Sequence, residues 1–433
     1  MEKPRSAEPD ATPFQPSPRY SAWVLGILLV AYILNFVDRQ VLALVAEDVK
    51  ADMGLTDAQL GWLLGPAFVL FYTIAGIPLA RLADTTSRKS VVAVGLALWS
   101  GMTAVSGAAA NFTQLLLARF GVGIGEAAGT PPSHSLISDY FPPERRATAL
   151  GIYGWGIFFG TGFGFALGGI LLEAFDWRTT FYVAGLAGLP VALVLALTVK
   201  EPPAGISDGA VEAETPSIRE VLRTLFARPS FPTLMVAAAC QAFLGYTVLS
   251  WGATYLRRVL ELSGRDAGIQ FGLAAAISGA IGVTIGGVLA DRLSRRDARW
   301  YAWLGAISSV AALPFALGFA LAGSAPMAIA LFCPFYLLNN IYVSSLWTLV
   351  QNLVSPRMRS MAAATQLAVL NIVGLGAGPL VAGYTSDVLE PTYGAAGLRY
   401  ALVIAAIVGS LAAIPFLLCA RTLRADLERA RLR

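Results

Sequence analysis

Twelve apolar blocks, each about as long as the ~20 residues a helix needs to cross a ~30 Å hydrocarbon layer, follow one another along this chain. They lie near 21–45, 57–80, 89–109, 113–138, 147–172, 178–199, 231–255, 267–290, 300–322, 325–353, 360–386 and 399–420. Only 13% of residues are charged, against roughly 25% in an average soluble domain. That is too few to cover a water-facing surface of a 433-residue protein. The pattern predicts an all-α membrane protein with twelve transmembrane helices.

Several kinds of chemistry are excluded by what is scarce. Cys240, Cys333 and Cys419 lie far apart in apolar blocks without a Cys-x-x-Cys pair, which argues against a disulfide framework or a zinc site. His134 is the one histidine, and no metal or other cofactor is expected. The four lysines (Lys3, Lys50, Lys89, Lys200) follow no glycine-rich phosphate loop, so ATP does not supply energy through that device.

Where the charges sit sets the orientation. With both termini inside, 23 of the 31 Lys and Arg residues fall on the inner side and six on the outer, leaving Arg39 and Arg119 within the membrane. That asymmetry follows the positive-inside rule. It predicts a multi-pass protein of the cell's inner membrane with both ends cytoplasmic. Nucleic acid is not an expected partner, membrane lipids are, and the chain is expected to act as a monomer.

Five segments follow: a disordered cytoplasmic tail over 1–20, a six-helix bundle over 21–200, a cytoplasmic linker over 201–230, a second six-helix bundle over 231–420 and a tail over 421–433. Glu201 to Pro216 is acidic and rich in Pro and Gly, as a flexible connector would be. Ser217-Ile-Arg-Glu220 is a capping box. Behind it Ile218, Val221, Leu222, Leu225 and Phe226 share one face of a short interfacial helix, expected on the inner leaflet. A coupler of the two bundles and a plain tether are equally open roles.

The chain also repeats itself. Ala80-Arg-Leu-Ala-Asp84-Thr-Thr-Ser-Arg88-Lys89 is echoed by Gly287-Val-Leu-Ala-Asp291-Arg-Leu-Ser-Arg295-Arg296. Phe141-Pro-Pro143-Glu-Arg-Arg146 is echoed by Val354-Ser-Pro356-Arg-Met-Arg359, and Gly160-x3-Gly164-x3-Gly168 by Gly374-x3-Gly378-x3-Ala382. Two six-helix halves fused head to tail account for all three.

The Gly-x-Leu-Ala-Asp-Arg-x-x-Arg-Arg type of loop, carried in full by Gly287 to Arg296 and in part by the loop after block two, is similar to the signature of the major facilitator superfamily of secondary transporters. Arg119-x3-Gly123 and the glycine ladder of block five resemble two further signatures. Ala80 and Ser87 depart from the loop pattern, where glycine is usual, and Phe165 stands where the helix-five motif usually has proline. The resemblance implies the major facilitator fold. It also implies a cytoplasmic gate that latches the halves, made of Asp84, Arg88, Asp139, Arg145, Arg146, Asp291, Arg292 and Arg295. The glycine ladder is expected to be a close helix contact.

Four ionisable residues lie where charge is expensive, about 2.5–3.5 kcal/mol each at the centre of a span. Block one carries Asn35-x2-Asp38-Arg39; block four, running the other way, carries Arg119-x6-Glu126 at the same depth. Arg119 and Glu126 are two helical turns apart, about 10 Å on one face, with Gly123 leaving room between them. Poorly hydrated carboxyl groups give up their charge more readily than they do in water, so Asp38 and Glu126 are the expected proton carriers. Arg39 and Arg119, with Asn35 nearby, are the expected anion contacts, because the guanidinium fork fits carboxylate and phosphate. A buried salt-bridge network that merely joins helices one and four is the plain alternative. His134, Tyr246, Trp251, Asn339 and Tyr342 are candidate cavity-lining residues. Asn340, Gln366 and Asn371 share that neutral, polar character.

The helix-one and helix-four charges, together with Ile137-Ser-Asp139-Tyr-Phe-Pro-x-x-Arg145, resemble the spinster branch of the superfamily. That resemblance implies proton-coupled transport of an anionic amphiphile, of lysophospholipid or sphingolipid type, driven by the proton gradient through alternating access. Two other readings stand beside it: an organic-anion:proton symporter for sugar acids, and a membrane-embedded lipid enzyme. The duplicated gates disfavour the enzyme, which needs no second copy.

Overall fold

The computed structural model describes residues 16–203 and 217–431. The expected disorder over residues 1–15 and most of the acidic connector fall outside the described residues. The first half contains α1 (Pro18–Met53), α2 (Asp57–Thr85), α3 (Arg88–Gly107), α4 (Phe112–Ala127 continued by Thr130–Tyr140), α5 (Pro143–Ala174) and α6 (Trp177–Thr198). A short α7 (Ile218–Phe226) leads into the second half. There α8 (Ser230–Arg258), α9 (Gly264–Ser294), α10 (Trp300–Leu321) and α11 (Ala325–Asn352) are followed by two interrupted helices. These are α12 (Arg359–Val369, Leu370–Ala377 and Gly378–Tyr393) and α13 (Gly397–Ser410 and Ala413–Arg431).

Helix starts follow local chemistry. Ser17, Ser87, Asn111, Asp176, Ser217 and Ser263 each accept a first-turn N–H with a side-chain oxygen. Thr56 and Gln59 complete a capping box. The Ser17 cap, with proline in the first turn, starts α1 at Pro18, three residues ahead of the predicted block. Among the described residues ten stretches are long and apolar enough to cross a membrane, and one of them, Met361–Ala430, is 70 residues long and holds two passes. The twelfth pass is α4, which is interrupted at Ala128-Gly129 into pieces of 16 and 11 residues, each too short to cross alone. In the short α7, Val221 and Leu225 are fully buried against the second half, while Phe226 sets its edge on Phe231 at 5.4 Å.

Small residues let the helices approach. A Cβ on Gly164 would come within 2.9 Å of Val37 Cα, so the glycine ladder seats α5 on α1. Its other face meets the second half, where Phe165 sets its ring edge-on to Phe271 of α9 at 5.1 Å. The partner seam joins α2 to α12. There α2 breaks at Gly65-Pro66, where a Cβ on Gly65 would lie 2.6 Å from the Leu375 and Gly376 carbonyls. Those carbonyls belong to an eight-residue π-helical stretch, Leu370–Ala377, a form frequent at functional sites.

A polar latch closes the end of the bundle opposite the termini. Arg258 grips Asp57 with both terminal nitrogens (2.5 and 2.8 Å) and donates Nε to Glu47 (2.9 Å). Arg257 donates to Asp48 at 2.6 and 3.1 Å and to the Leu44 carbonyl at 2.8 Å. From α12, Asp387 accepts the backbone N–H groups of Asp57 and Ala58, each at 2.8 Å, while Ser386 donates to Asp57 at 2.6 Å. A carboxylate of one half thus caps the positive end of a helix in the other.

On the side of the termini the ion pairs among the described residues lie within each half. Arg88 holds Asp139 (2.5 Å) and Glu201 (2.8 Å) in the first. Arg424 holds Asp297 (2.7 Å), and Asp426 caps Ser230 (2.9 Å), in the second. Asp84, Arg145, Asp291, Arg292 and Arg295 are exposed and make no ion pair among the described residues.

The latch makes the first testable claim. Arg258→Ala strips Asp57 of its bidentate partner from the other half and leaves it Lys50, at 2.8 Å within its own half, so the ionic tie across the two halves at Asp57 is lost. The closed end should therefore open more often. Spin labels at Ala51→Cys and Glu390→Cys in a cysteine-free background are expected to move apart on Arg258→Ala. An unchanged distance distribution would deny the latch its role.

Candidate functional site

Beneath the latch, α1 and α4 bring Asp38, Arg39, Arg119 and Glu126 into one cluster. Asp38, Arg119 and Glu126 are 1%, 2% and 0% exposed. Arg39 donates from Nε to Glu126 Oε2 at 2.7 Å, with Nη2 2.6 Å from the same oxygen, a charge-assisted contact of the strong kind. Asn35 faces Glu126, and Thr103 of α3 faces Asp38. All four charges lie within electrostatic reach of one another. The gap expected between Arg119 and Glu126 is bridged at its Glu126 end by Arg39.

Part of the cluster's hydrogen-bonding capacity is uncommitted. Arg119 Nε and Nη1, Asp38 Oδ1, Glu126 Oε1 and Asn35 Oδ1 are buried with no hydrogen-bond partner among the described residues. An unpaired buried polar atom costs about 1–3 kcal/mol, more if charged. Donors and acceptors kept apart inside one dry cluster are therefore a poor solution for stability. They are a good one for a site that takes a proton and an anion.

Aromatic rings wall the cluster. The Phe68 ring from α2 lies 4.6 Å from the Arg39 guanidinium carbon and 5.9 Å from that of Arg119. Phe36 and Tyr72 stand 4.9 and 5.6 Å from Arg39. Gly123 makes this possible, because a Cβ there would come within 2.6 Å of the Phe68 carbonyl. Arg39 and Arg119 then share a cavity with Phe68, with Leu375 of α12 and with Tyr246, Leu249 and Ser250 of α8, so the wall from the second half carries no charge.

Among the candidate lining residues, Tyr246 borders this cavity. Trp251 is fully buried in the seam between the halves and donates to the Pro379 carbonyl at 2.9 Å; Tyr342 is buried against Phe416. Neither borders the cavity, because their rings are filled in by packing. Asn339 is 4% exposed with its Oδ1 unpaired, and His134 is exposed near the terminal side with its ring edge-on to Tyr153. Phe68, Tyr72 and Thr103 were not marked by the sequence, which presents them as ordinary residues of apolar blocks. The latch residues read there as plain loop charges; the adjacent Arg257-Arg258, on the side poor in basic residues, is the one local hint.

Known proteins point the same way. The family model described as Major Facilitator Superfamily matches residues 28–379. An MFS-type efflux pump of Mycolicibacterium smegmatis is 31% identical over 418 residues, spanning 96% of each chain. Protein spinster homolog 1 of Homo sapiens is 28% identical over 448 residues, covering 96% of this chain and 84% of the human one. Among solved structures, a bacterial homolog of the human lysosomal transporter spinster, in an inward-facing and unoccupied conformation, is 32% identical. It superposes with a TM-score of 0.87 over 95% of this chain and 99% of the other. A D-xylose-proton symporter, 18% identical with a TM-score of 0.71, shares the fold. These relatives are membrane transporters rather than enzymes. With two six-helix halves, matching seams and a charged site between them, this chain belongs to the major facilitator superfamily, as a spinster-like transporter.

Proposed function

We propose that this transporter couples proton movement to the passage of an anionic amphiphile, of lysophospholipid or sphingolipid type, by alternating access. The observation that carries the reading is the buried cluster with unpaired Arg119 donors beside unpaired Asp38 and Glu126 acceptors. Protonating either carboxyl leaves the cluster with net positive charge, and an anionic head group then meets the guanidinium fork. The uncharged wall formed by Tyr246, Leu249 and Leu375 suits the apolar part of the cargo. That uncharged wall favours an amphiphile over a sugar acid.

Both termini are assigned to the cytoplasm of a cell whose inner membrane holds the protein. The latched end then faces outward, and the structure corresponds to an inward-facing state. The proton gradient supplies the energy, and a single chain forms the whole path. The Asp84/Arg88 and Asp291/Arg295 loops act when the halves close on the inner side, forming the gate that the latch replaces in the present state.

Reconstituted vesicles give the test. Lysophosphatidylglycerol is expected to move faster with an imposed pH gradient than without one, while glucuronate should not move. Movement of glucuronate alone would transfer the protein to the sugar-acid symporters, and movement of neither would end the anion-transport reading.

A further inference from the structure

Arg119 has the charge and the reach to pair with a carboxylate, yet it does not. Its Nε and Nη1 lack hydrogen-bond partners while Asp38 Oδ1 and Glu126 Oε1 lack donors, and all are buried in one cluster. Some group must make the unpaired arrangement tolerable. The Phe68 ring lies beside both guanidinium groups and is itself 2% exposed. An aromatic face attracts a cation within about 6 Å, and more strongly where water is excluded. It offers that attraction without consuming a hydrogen-bond donor. Phe68 is held in turn by stacking on Tyr72 (centroids 5.3 Å apart) and by the close approach of its backbone to Gly123.

We propose that Phe68 is a positioning residue for the anion site: its ring steadies the Arg119 guanidinium away from Asp38 and Glu126, so that the Arg119 donors stay available to an incoming head group. The proposal rests on the anion-transport reading and adds to it a residue with no charge and no polar atom. Without the ring, Arg119 turns onto the carboxylates, and an anion must first displace them.

Graded fluorination of the ring, with 4-fluoro-, 3,5-difluoro- and 3,4,5-trifluorophenylalanine placed at position 68, weakens the aromatic face and preserves its shape. Phe68→Leu removes the face altogether. With lysophosphatidylglycerol as the probe, KM is expected to climb stepwise along the fluorine series. The rise should reach about tenfold for the trifluoro and leucine forms, with kcat within about twofold of the native chain. A constant KM across correctly folded fluorinated proteins would overturn the proposal, even if Phe68→Leu fails to fold. A native protein that binds neither lysophosphatidylglycerol nor inorganic phosphate would overturn the anion site itself, and with it the role given to Phe68. Native binding with an unresponsive fluorine series refutes only the role of the ring.

Discussion

Glu126→Gln is expected to leave a folded transporter that no longer responds to a pH gradient, and Asp38→Asn to do the same. A protonated carboxyl and an amide have similar shapes, so each substitution fixes one group in its neutral form. At Glu126 the amide oxygen still accepts from Arg39, now without ionic attraction. One proton moving down one pH unit supplies about 1.4 kcal/mol, enough to hold about a tenfold cargo ratio across the membrane if one proton accompanies each molecule. The native protein should build a ratio of that order in vesicles, whereas the two variants should equilibrate cargo to a ratio of about one. A variant that still concentrates cargo would remove that carboxyl from the coupling step.

Arg39 and Arg119 should fail in different ways. Arg39 holds Glu126 by one hydrogen bond from Nε and an ion-pair contact from Nη2, and the carboxyl is 0% exposed. Arg39→Ala strands that charge, and losing one member of a buried pair costs about 3–5 kcal/mol. A clear fall in thermal stability is expected, largely recovered in the Arg39→Ala, Glu126→Gln double variant because no stranded charge remains. Arg119 makes no such pair, so Arg119→Ala should melt close to the native protein. It forfeits contacts to a charged ligand worth about 1.5–3 kcal/mol, so anion affinity should drop by about 10- to 150-fold. Equal loss of stability in both single variants would mean that Arg119, too, is a structural strut.

The difference between these arginines was not legible in the sequence. Hydropathy and charge place Asp38, Arg39, Arg119 and Glu126 at one depth, because isolated charges in apolar blocks are costly enough to stand out. Depth along a helix says nothing about which side chain turns toward which. Glu126 takes Arg39, from a helix 87 residues away. The expected mid-membrane gap is partly filled by that choice. Phe68 escaped notice for a different reason. Its contribution is the face of an aromatic ring, and a phenylalanine in an apolar block looks the same whether it packs against lipid or against two cations.

Architecture was more legible than closure. Twelve blocks and three internal echoes pointed to two six-helix halves, since each depends on local composition or on self-similarity. The latch depends on neither. Arg258 meets Glu47 across 211 positions and Asp387 meets Asp57 across 330, pairings that arise only once the halves lean together. The π-helical stretch of α12 also leaves no mark in the periodicity of its block. Its fit against Gly65 is a matter of backbone carbonyls, which every residue possesses.

Calorimetry of anion binding in buffers of different ionisation enthalpy, at one pH near neutrality, counts the protons exchanged when cargo binds. For the detergent-purified native protein the observed heat should vary with the buffer, indicating a net exchange on the order of one proton per lysophosphatidylglycerol bound. Asp38→Asn or Glu126→Gln should abolish that dependence. A native binding heat that is the same in every buffer would mean that proton and cargo are handled independently, which contradicts the coupling assigned to the cluster.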